Sequence, residues 1–244
     1  MEGFETTTYG QHMAGAYDAY VRDKFDEEAE VELLAELAGG GRVLELGVGT
    51  GRVAIPLSRL GLEVHGIEAS PEMVEQLRAK PGGDGVGVTI GDFADVDVPG
   101  NFSLCLAVFS TLFMLRSQAE QLRCFANVAA HLEPGGAFVV EAFVPKFGGG
   151  DCQSLEVLRT DVDSVLLEAS RVDPVQQRVD IQRIALGKGG VELYPSSVRY
   201  AYPAELDLMA RLAGLRLRHR WAGWRRQELT ADSVWNVSVY ERPD

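Results

Sequence analysis

Between residues 42 and 144 short apolar runs alternate with amphipathic stretches, and this alternation restricts the fold more than any other feature of the chain. A strand covered by helices on both faces reads as a continuous apolar run, and each return to a parallel neighbour needs a crossover long enough for a helix. The runs 42–46, 63–67, 86–90, 102–108 and 137–144 are therefore expected to be strands of one mostly parallel sheet. Helices are expected to begin near Gly51, Pro71 and Ser117. Ser70 ahead of Pro71 has the form of an N-cap followed by proline at the first helical position, and Pro134-Gly135-Gly136 is expected to stop the third helix. The stretch 25–37, acidic on one side and apolar at Val31, Leu34 and Leu37, reads as a further helix lying on the sheet.

After Phe143 the period changes. Residues 151–202 hold alternating runs at 164–172, 175–186 and 191–202, separated by Asp173-Pro174 and by Gly187-Lys188-Gly189-Gly190, which is the pattern of antiparallel hairpins. Pro203 then opens an apolar helix that Gly214 stops, and 215–221 with 234–240 are two closing strands. The expected organisation is a core built from 1–150 and 203–244, with 151–202 inserted as an antiparallel cover.

Composition removes several classes of function. No apolar run approaches the ~20 residues that span a bilayer, so no membrane partner is expected. A formal charge of −13 speaks against a nucleic-acid partner, which needs clustered Lys and Arg to neutralise phosphates. The basic stretch 216–226 is interleaved with Leu and Trp and reads as a solvated strand face. The polar N-terminus lacks the basic start and apolar stretch of a secretory signal, so a cytoplasmic location is expected, with Cys105, Cys124 and Cys152 reduced.

Val43-Leu44-Glu45-Leu46-Gly47-Val48-Gly49-Thr50-Gly51-Arg52 reads as a buried strand running into a glycine turn and a helix. Glycine there permits positive φ and lets a ligand lie against bare backbone. Dinucleotide folds use the related G-x-G-x-x-G, which keeps an NAD-dependent oxidoreductase as an alternative. Glu45 ahead of G-x-G-x-G suits an ammonium better than a pyrophosphate. The next strand ends in Gly66-Ile67-Glu68-Ala69-Ser70, where an acid at the carboxyl end of the sheet can accept both hydroxyls of a ribose. Gly91-Asp92-Phe93 follows the third strand in the same layer, so that Asp92 can face an adenine amino group and Phe93 its ring; an ordinary Gly-Asp turn is the alternative.

Glu45 through Gly51, Glu68 with Ala69, and Gly91-Asp92-Phe93 resemble the first three cofactor motifs of the class I S-adenosylmethionine methyltransferases. That resemblance implies S-adenosyl-L-methionine as cofactor and an α/β, Rossmann-like, seven-stranded sheet with helices on both faces and its last strand antiparallel. The segment from Phe109 to Leu115 and the inserted hairpins are similar to the branch containing aminosugar N-methyltransferases of antibiotic biosynthesis and glycine N-methyltransferase, which implies a small-molecule acceptor. Phe109 joins the implied cofactor set, and Tyr17, in an N-terminal segment that packs over the cofactor in this branch, is expected near the sulfonium. Met114 stands where aminosugar enzymes tend to have histidine, so no proton-handling role carries over to it.

In-line methyl transfer from a sulfonium needs no metal, and no Asp/His set has ligand spacing, so none is expected. His12 is the candidate base; His65, His131 and His219 read as structural. Phe113, Met114, Arg199 and Tyr202 are the expected acceptor-facing residues. The hairpins are expected to cover the acceptor pocket, with a homodimer surface as the alternative, and a methyltransferase-like protein that binds the cofactor for non-methylating chemistry, such as a pericyclase, is a further alternative to methyl transfer.

Overall fold

The computed structural model describes residues 1–22, 24, 26–95, 97–146 and 153–243. Two short helices, α1 (Thr8–Met13) and α2 (Tyr17–Val21), precede α3 (Glu27–Ala38). Strands and helices then alternate as β1 (Val43–Leu46), α4 (Ala54–Arg59), β2 (Val64–Glu68), α5 (Pro71–Ala79), β3 (Gly87–Ile90), β4 (Phe102–Ala107), α6 (Gln118–His131) and β5 (Leu132–Phe143). Four antiparallel strands follow: β6 (Gln153–Thr160), β7 (Ser164–Asp173), β8 (Arg178–Gly187) and β9 (Gly190–Arg199). The chain closes through α7 (Pro203–Leu212), β10 (Arg216–Trp221) and β11 (Trp235–Glu241).

The fold is α/β. A seven-stranded sheet runs in the order β10-β11-β5-β4-β1-β2-β3, and β6 to β9 form a separate four-stranded sheet. In the large sheet β11 is antiparallel to both its neighbours, while β1 to β5 pair parallel. Alternation of side chains across the pleat explains the continuous apolar runs: Cys105 and Ala107 enter one core with Phe125 and Val128, whereas Leu104 and Leu106 enter the other with Leu33 and Leu57. Val179, Val198 and Tyr200 root the small sheet in the first of these cores.

Local chemistry sets most boundaries. Ser70 accepts from Met73 N to start α5, and Ser117 with Glu120 forms a full capping box at α6. Differences from expectation have physical reasons. The strand β6 is unexpected because every residue in it is exposed, so its sequence carries little burial pattern. Pro134-Gly135-Gly136 does not stop a helix; α6 ends at His131, Leu132 already pairs with Phe102, and the three residues lie in an irregularity before Ala137 pairs with Leu104. The helices α1 and α2, of six and five residues, are too short for a periodicity to show. Phe25, Asp151 and Cys152 lie outside the described residues, while Cys105 and Cys124 are free and buried. Among the described residues no helix is long and apolar enough to cross a membrane.

Candidate active site

From β1 the chain moves outward to β2 and β3, then returns past β1 to lay β4 and β5 on its other side. The turns after β1 and β4 consequently diverge, and a crevice opens at the carboxyl ends of the two strands. Its floor is the glycine turn, pinned when Gly47 N and Val48 N donate to Ile67 O at 2.8 and 3.1 Å. Gly47 has φ +67°, and a Cβ there would come within 2.6 Å of Thr111 Cγ2. At Gly49, with φ +54°, a Cβ would meet nothing nearer than Gly47 O at 3.9 Å, so bare backbone faces the opening.

Glu68, at the end of β2, is held by this same turn. Its Oε2 accepts from Gly49 N and its Oε1 from Ser70 N, both at 2.9 Å, and burial raises its pKa. Asp92 Oδ1 accepts from Ala94 N at 2.9 Å in a turn of its own making. Together Gly47, Gly49, Glu68, Ala69, Asp92 and Phe93 wall one side of a 370 Å³ cavity. Phe109, Thr111 and Met114, after β4, and Trp235 of β11 wall another. Tyr9, Tyr17 and Tyr20 from α1 and α2 line it as well, as do Ile181, Arg183, Ser196 and Val198 of the small sheet.

The turn after β4 is strained: Phe109 and Ser110 have φ +53° and +61°, a region in which a phenylalanine is an outlier. Glu141 of β5 holds it there. Its Oε2 accepts from Phe109 N at 2.7 Å, its backbone carbonyl accepts from Ser110 N at 2.9 Å, and its Oε1 takes Trp224 Nε1–H at 2.9 Å. Burial pushes the Glu141 pKa up to about 7. A second buried group lies behind the glycine turn, where Arg52 is paired with Glu30 at 2.5 Å. Glu45 is buried beside them, pushed up to about 8 by desolvation against the opposing pull of Arg52, and its Oε2 accepts no hydrogen bond among the described residues.

The expected site residues divide accordingly. Tyr17, Gly47, Gly49, Glu68, Ala69, Asp92, Phe93, Phe109 and Met114 are brought together on the cavity wall. Glu45 and Gly51 lie behind it; a Cβ on Gly51 would press within 2.9 Å of Ile55 and 3.0 Å of Leu77, so this glycine serves packing of α4 and α5. Four expectations need correction. Phe113 is fully buried, edge-on to Phe143 at 5.1 Å, and is not part of the wall. Arg199 is one residue out of phase with Ser196 and Val198, which line the cavity, so it points to the other face of β9 and is bound by Gln121, Gln177 and Glu205. Tyr202 lies beyond the strand, half-exposed against Tyr200. His12 is turned away to Leu193 O at 3.2 Å and does not line the cavity.

Residues on the wall that were not among the expected site residues include Tyr9, Tyr20, Arg183 and Trp235. Phase is the signal that would have found Arg183, since it shares parity with Ile181 on β8. Tyr9 and Tyr20 had no periodic signal, because short helices carry no period; their place beside Tyr17 in the N-terminal segment that packs over the cofactor in the resembling branch was the pointer to them.

A family model described as a methyltransferase domain matches residues 43–136, which covers the glycine turn, Glu68 and Asp92. The CcbJ methyltransferase from Streptomyces caelestis is 40% identical in a superposition that covers 99% of this chain and 100% of that one, with a TM-score of 0.92. The chain is an S-adenosylmethionine-dependent methyltransferase. Among curated relatives of this methyltransferase, the cypemycin N-terminal methyltransferase of a Streptomyces species is 28% identical over 83% of this chain and 84% of the relative. The dTDP-3-amino-3,4,6-trideoxy-alpha-D-glucopyranose N,N-dimethyltransferase of Streptomyces venezuelae is 28% identical over 61% and 65%. Membership in the family overturns the oxidoreductase alternative.

The residues present fit the cofactor. Bare backbone at Gly49 leaves room that a side chain would fill, a carboxylate stands beside it at Glu68, and a buried acceptor without a partner, Glu45 Oε2, lies behind the same turn. Such a set matches a ligand that carries hydroxyls and an ammonium.

Proposed function

We propose that this methyltransferase acts on an amine nitrogen of a small molecule in natural-product metabolism, with the small sheet covering the acceptor. The observation that carries the reading is the double construction of one cavity: the glycine turn, Glu68, Asp92 and the turn after β4 supply the large-sheet side of its wall, and α1, α2 and the inner face of β8 and β9 supply another side. A cavity of 370 Å³ suits a ligand of modest size. The name of the aminosugar relative, an N,N-dimethyltransferase, supports nitrogen as the acceptor atom, and that of the cypemycin relative, an N-terminal methyltransferase, is in keeping with an amine.

Within this reading Glu68 accepts the ribose hydroxyls, Asp92 and Phe93 hold the adenine, and Glu45 offers its unpartnered oxygen to the ammonium. Tyr17 and Phe109 border the methyl-bearing end. S-adenosylmethionine, when bound, supplies an electrophilic methyl group on a sulfonium. The chain's own contribution is alignment and exclusion of water: Phe109, held in its strained turn by Glu141, and Tyr9, Tyr17 and Tyr20 leave the reacting atoms little freedom. Incubation with S-adenosylmethionine and a panel of aminosugar, peptide-amine and phenolic acceptors, read by mass spectrometry, tests the reading. Gain of one methyl mass on an amine supports it. Transfer to phenols alone overturns the nitrogen assignment, and tight cofactor retention without transfer to any acceptor favours non-methylating chemistry.

A further inference from the structure

Among the small-sheet residues that wall the cavity, Arg183 alone is charged. The registers pair Glu168 with Arg183 across β7 and β8, and Arg183 with Tyr194 across β8 and β9. This row lies on the same face as Ile181, Ser196 and Val198, so strand phase itself directs the guanidinium into the cavity.

The guanidinium is held but not satisfied. Its side chain is only 15% exposed, and Nε sits 2.8 Å from Glu168 Oε2. That contact is off the N–H direction: Nε is buried and has no hydrogen-bond partner among the described residues. Tyr20 covers the group, its ring centroid 4.8 Å from Cζ. Arg199 shows the contrast, donating to Gln121, Gln177 and Glu205 at 2.6, 2.9 and 2.6 Å. Arg116, which also lines the cavity, donates to Phe4 O at 2.6 Å. A guanidinium offers five N–H donors in a fork: the buried Nε–H is left unmade here, which is costly, and the group borders a cavity in which a ligand can supply acceptors. The acceptor geometry that matches the fork is an oxyanion.

The geometry points to Arg183 as the anchor of an anionic group on the methyl acceptor, a carboxylate or a phosphate, with Glu168 and Tyr20 fixing the guanidinium in place. This rests on the reading that the cavity takes a small-molecule acceptor. It adds that the acceptor carries a negative charge apart from the atom that is methylated. The acids on the cavity wall are Glu68 and Asp92, at the strand ends around the glycine turn, and Glu120, which accepts from Ser117 N at the start of α6, and none of them is on the small sheet, so the wall distinguishes an anionic from a cationic group.

Calorimetric titration of the full chain, saturated with S-adenosylhomocysteine, with sodium benzoate, benzamide and inorganic phosphate reads the anchor directly. Saturable binding of benzoate or phosphate is expected at about 1–10 mM, with benzamide at least about tenfold weaker. Benzoate binding alone identifies a carboxylate site, and phosphate binding alone a phosphate site. R183Q is expected to weaken the anion at least about tenfold while R183K retains it and both keep their affinity for S-adenosylhomocysteine. The assignment is overturned if neither anion saturates, if benzamide binds as well as benzoate, or if R183Q binds the anion like the native chain. Should R183Q fail to fold, the benzoate and benzamide pair on the native chain still decides. Methylation of uncharged acceptors only would overturn the anchor and leave the small-molecule reading standing. Anion binding without any methylated acceptor would do the reverse.

Discussion

Glu68 carries two loads at once, closing the glycine turn through Gly49 N and Ser70 N while lining the cavity. Its replacement by Ala is expected to weaken S-adenosylhomocysteine by about 1.5–3 kcal/mol, the range for hydrogen bonds to a charged group, as measured by calorimetry. Unchanged affinity would remove it from the cofactor site. Glu45 makes a different prediction. Burial raises its folded pKa to about 8, above its ordinary value, so the protonated form is favoured by folding. The stability this contributes is full below the unfolded pKa and is lost as pH rises through about 8. Glu141, raised to about 7, acts in the same direction. The melting temperature of the ligand-free protein is therefore expected to fall between about pH 5 and pH 8, and Glu45→Gln to flatten part of that fall. An ammonium placed beside Glu45 would lower its pKa and expel the proton. Cofactor binding at pH 7 is thus expected to release protons, visible as a binding enthalpy that changes with the ionisation heat of the buffer; no such change would place the ammonium elsewhere.

At the scale of elements, Arg199 braces β9 against α6 and α7 through Gln121 and Glu205. Removing one partner of a buried ion pair leaves the other uncompensated. Glu205 keeps Gln118 and Gln177, so Arg199→Ala is expected near the low end of the usual cost, about 3 kcal/mol in urea unfolding, with cofactor affinity unchanged. Selective loss of turnover without loss of stability would return Arg199 to the site. The elements that were legible beforehand left a local mark: β1, β4 and β5 as continuous apolar runs, α5 through its cap and α6 through its start near Ser117. Those that were not, α1, α2 and β6, are too short or too exposed to repeat a pattern.

For the whole molecule, the large sheet supplies one part of the cavity and the small sheet with the N-terminal helices supplies the other. Filling the second without touching the first should separate their contributions: Ser196→Trp is expected to raise the acceptor KM at least about tenfold with cofactor affinity unchanged, in steady-state assays. Equal losses for both ligands would show that the walls do not act separately. No group of His, Cys, Asp and Glu suited to a metal occurs among the described residues. Turnover is accordingly expected to survive EDTA; loss that magnesium restores would overturn this.

What the sequence by itself determined was the large sheet and the turns that line the cavity at its carboxyl ends, because strand burial, helix caps and a glycine turn are local in the chain and leave a pattern in neighbouring residues. Glu68 was legible since it ends a strand adjacent to that turn. Tertiary structure alone decided which face of β9 looks into the cavity, and so replaced Arg199 by Arg183: a shift of one residue in phase exchanges the two faces of a strand, and only pairing with the rest of the sheet sets that phase. It also decided that Glu141 and Trp224, 83 positions apart, together hold the turn at Phe109. Contacts of that range have no signature in any short window of sequence.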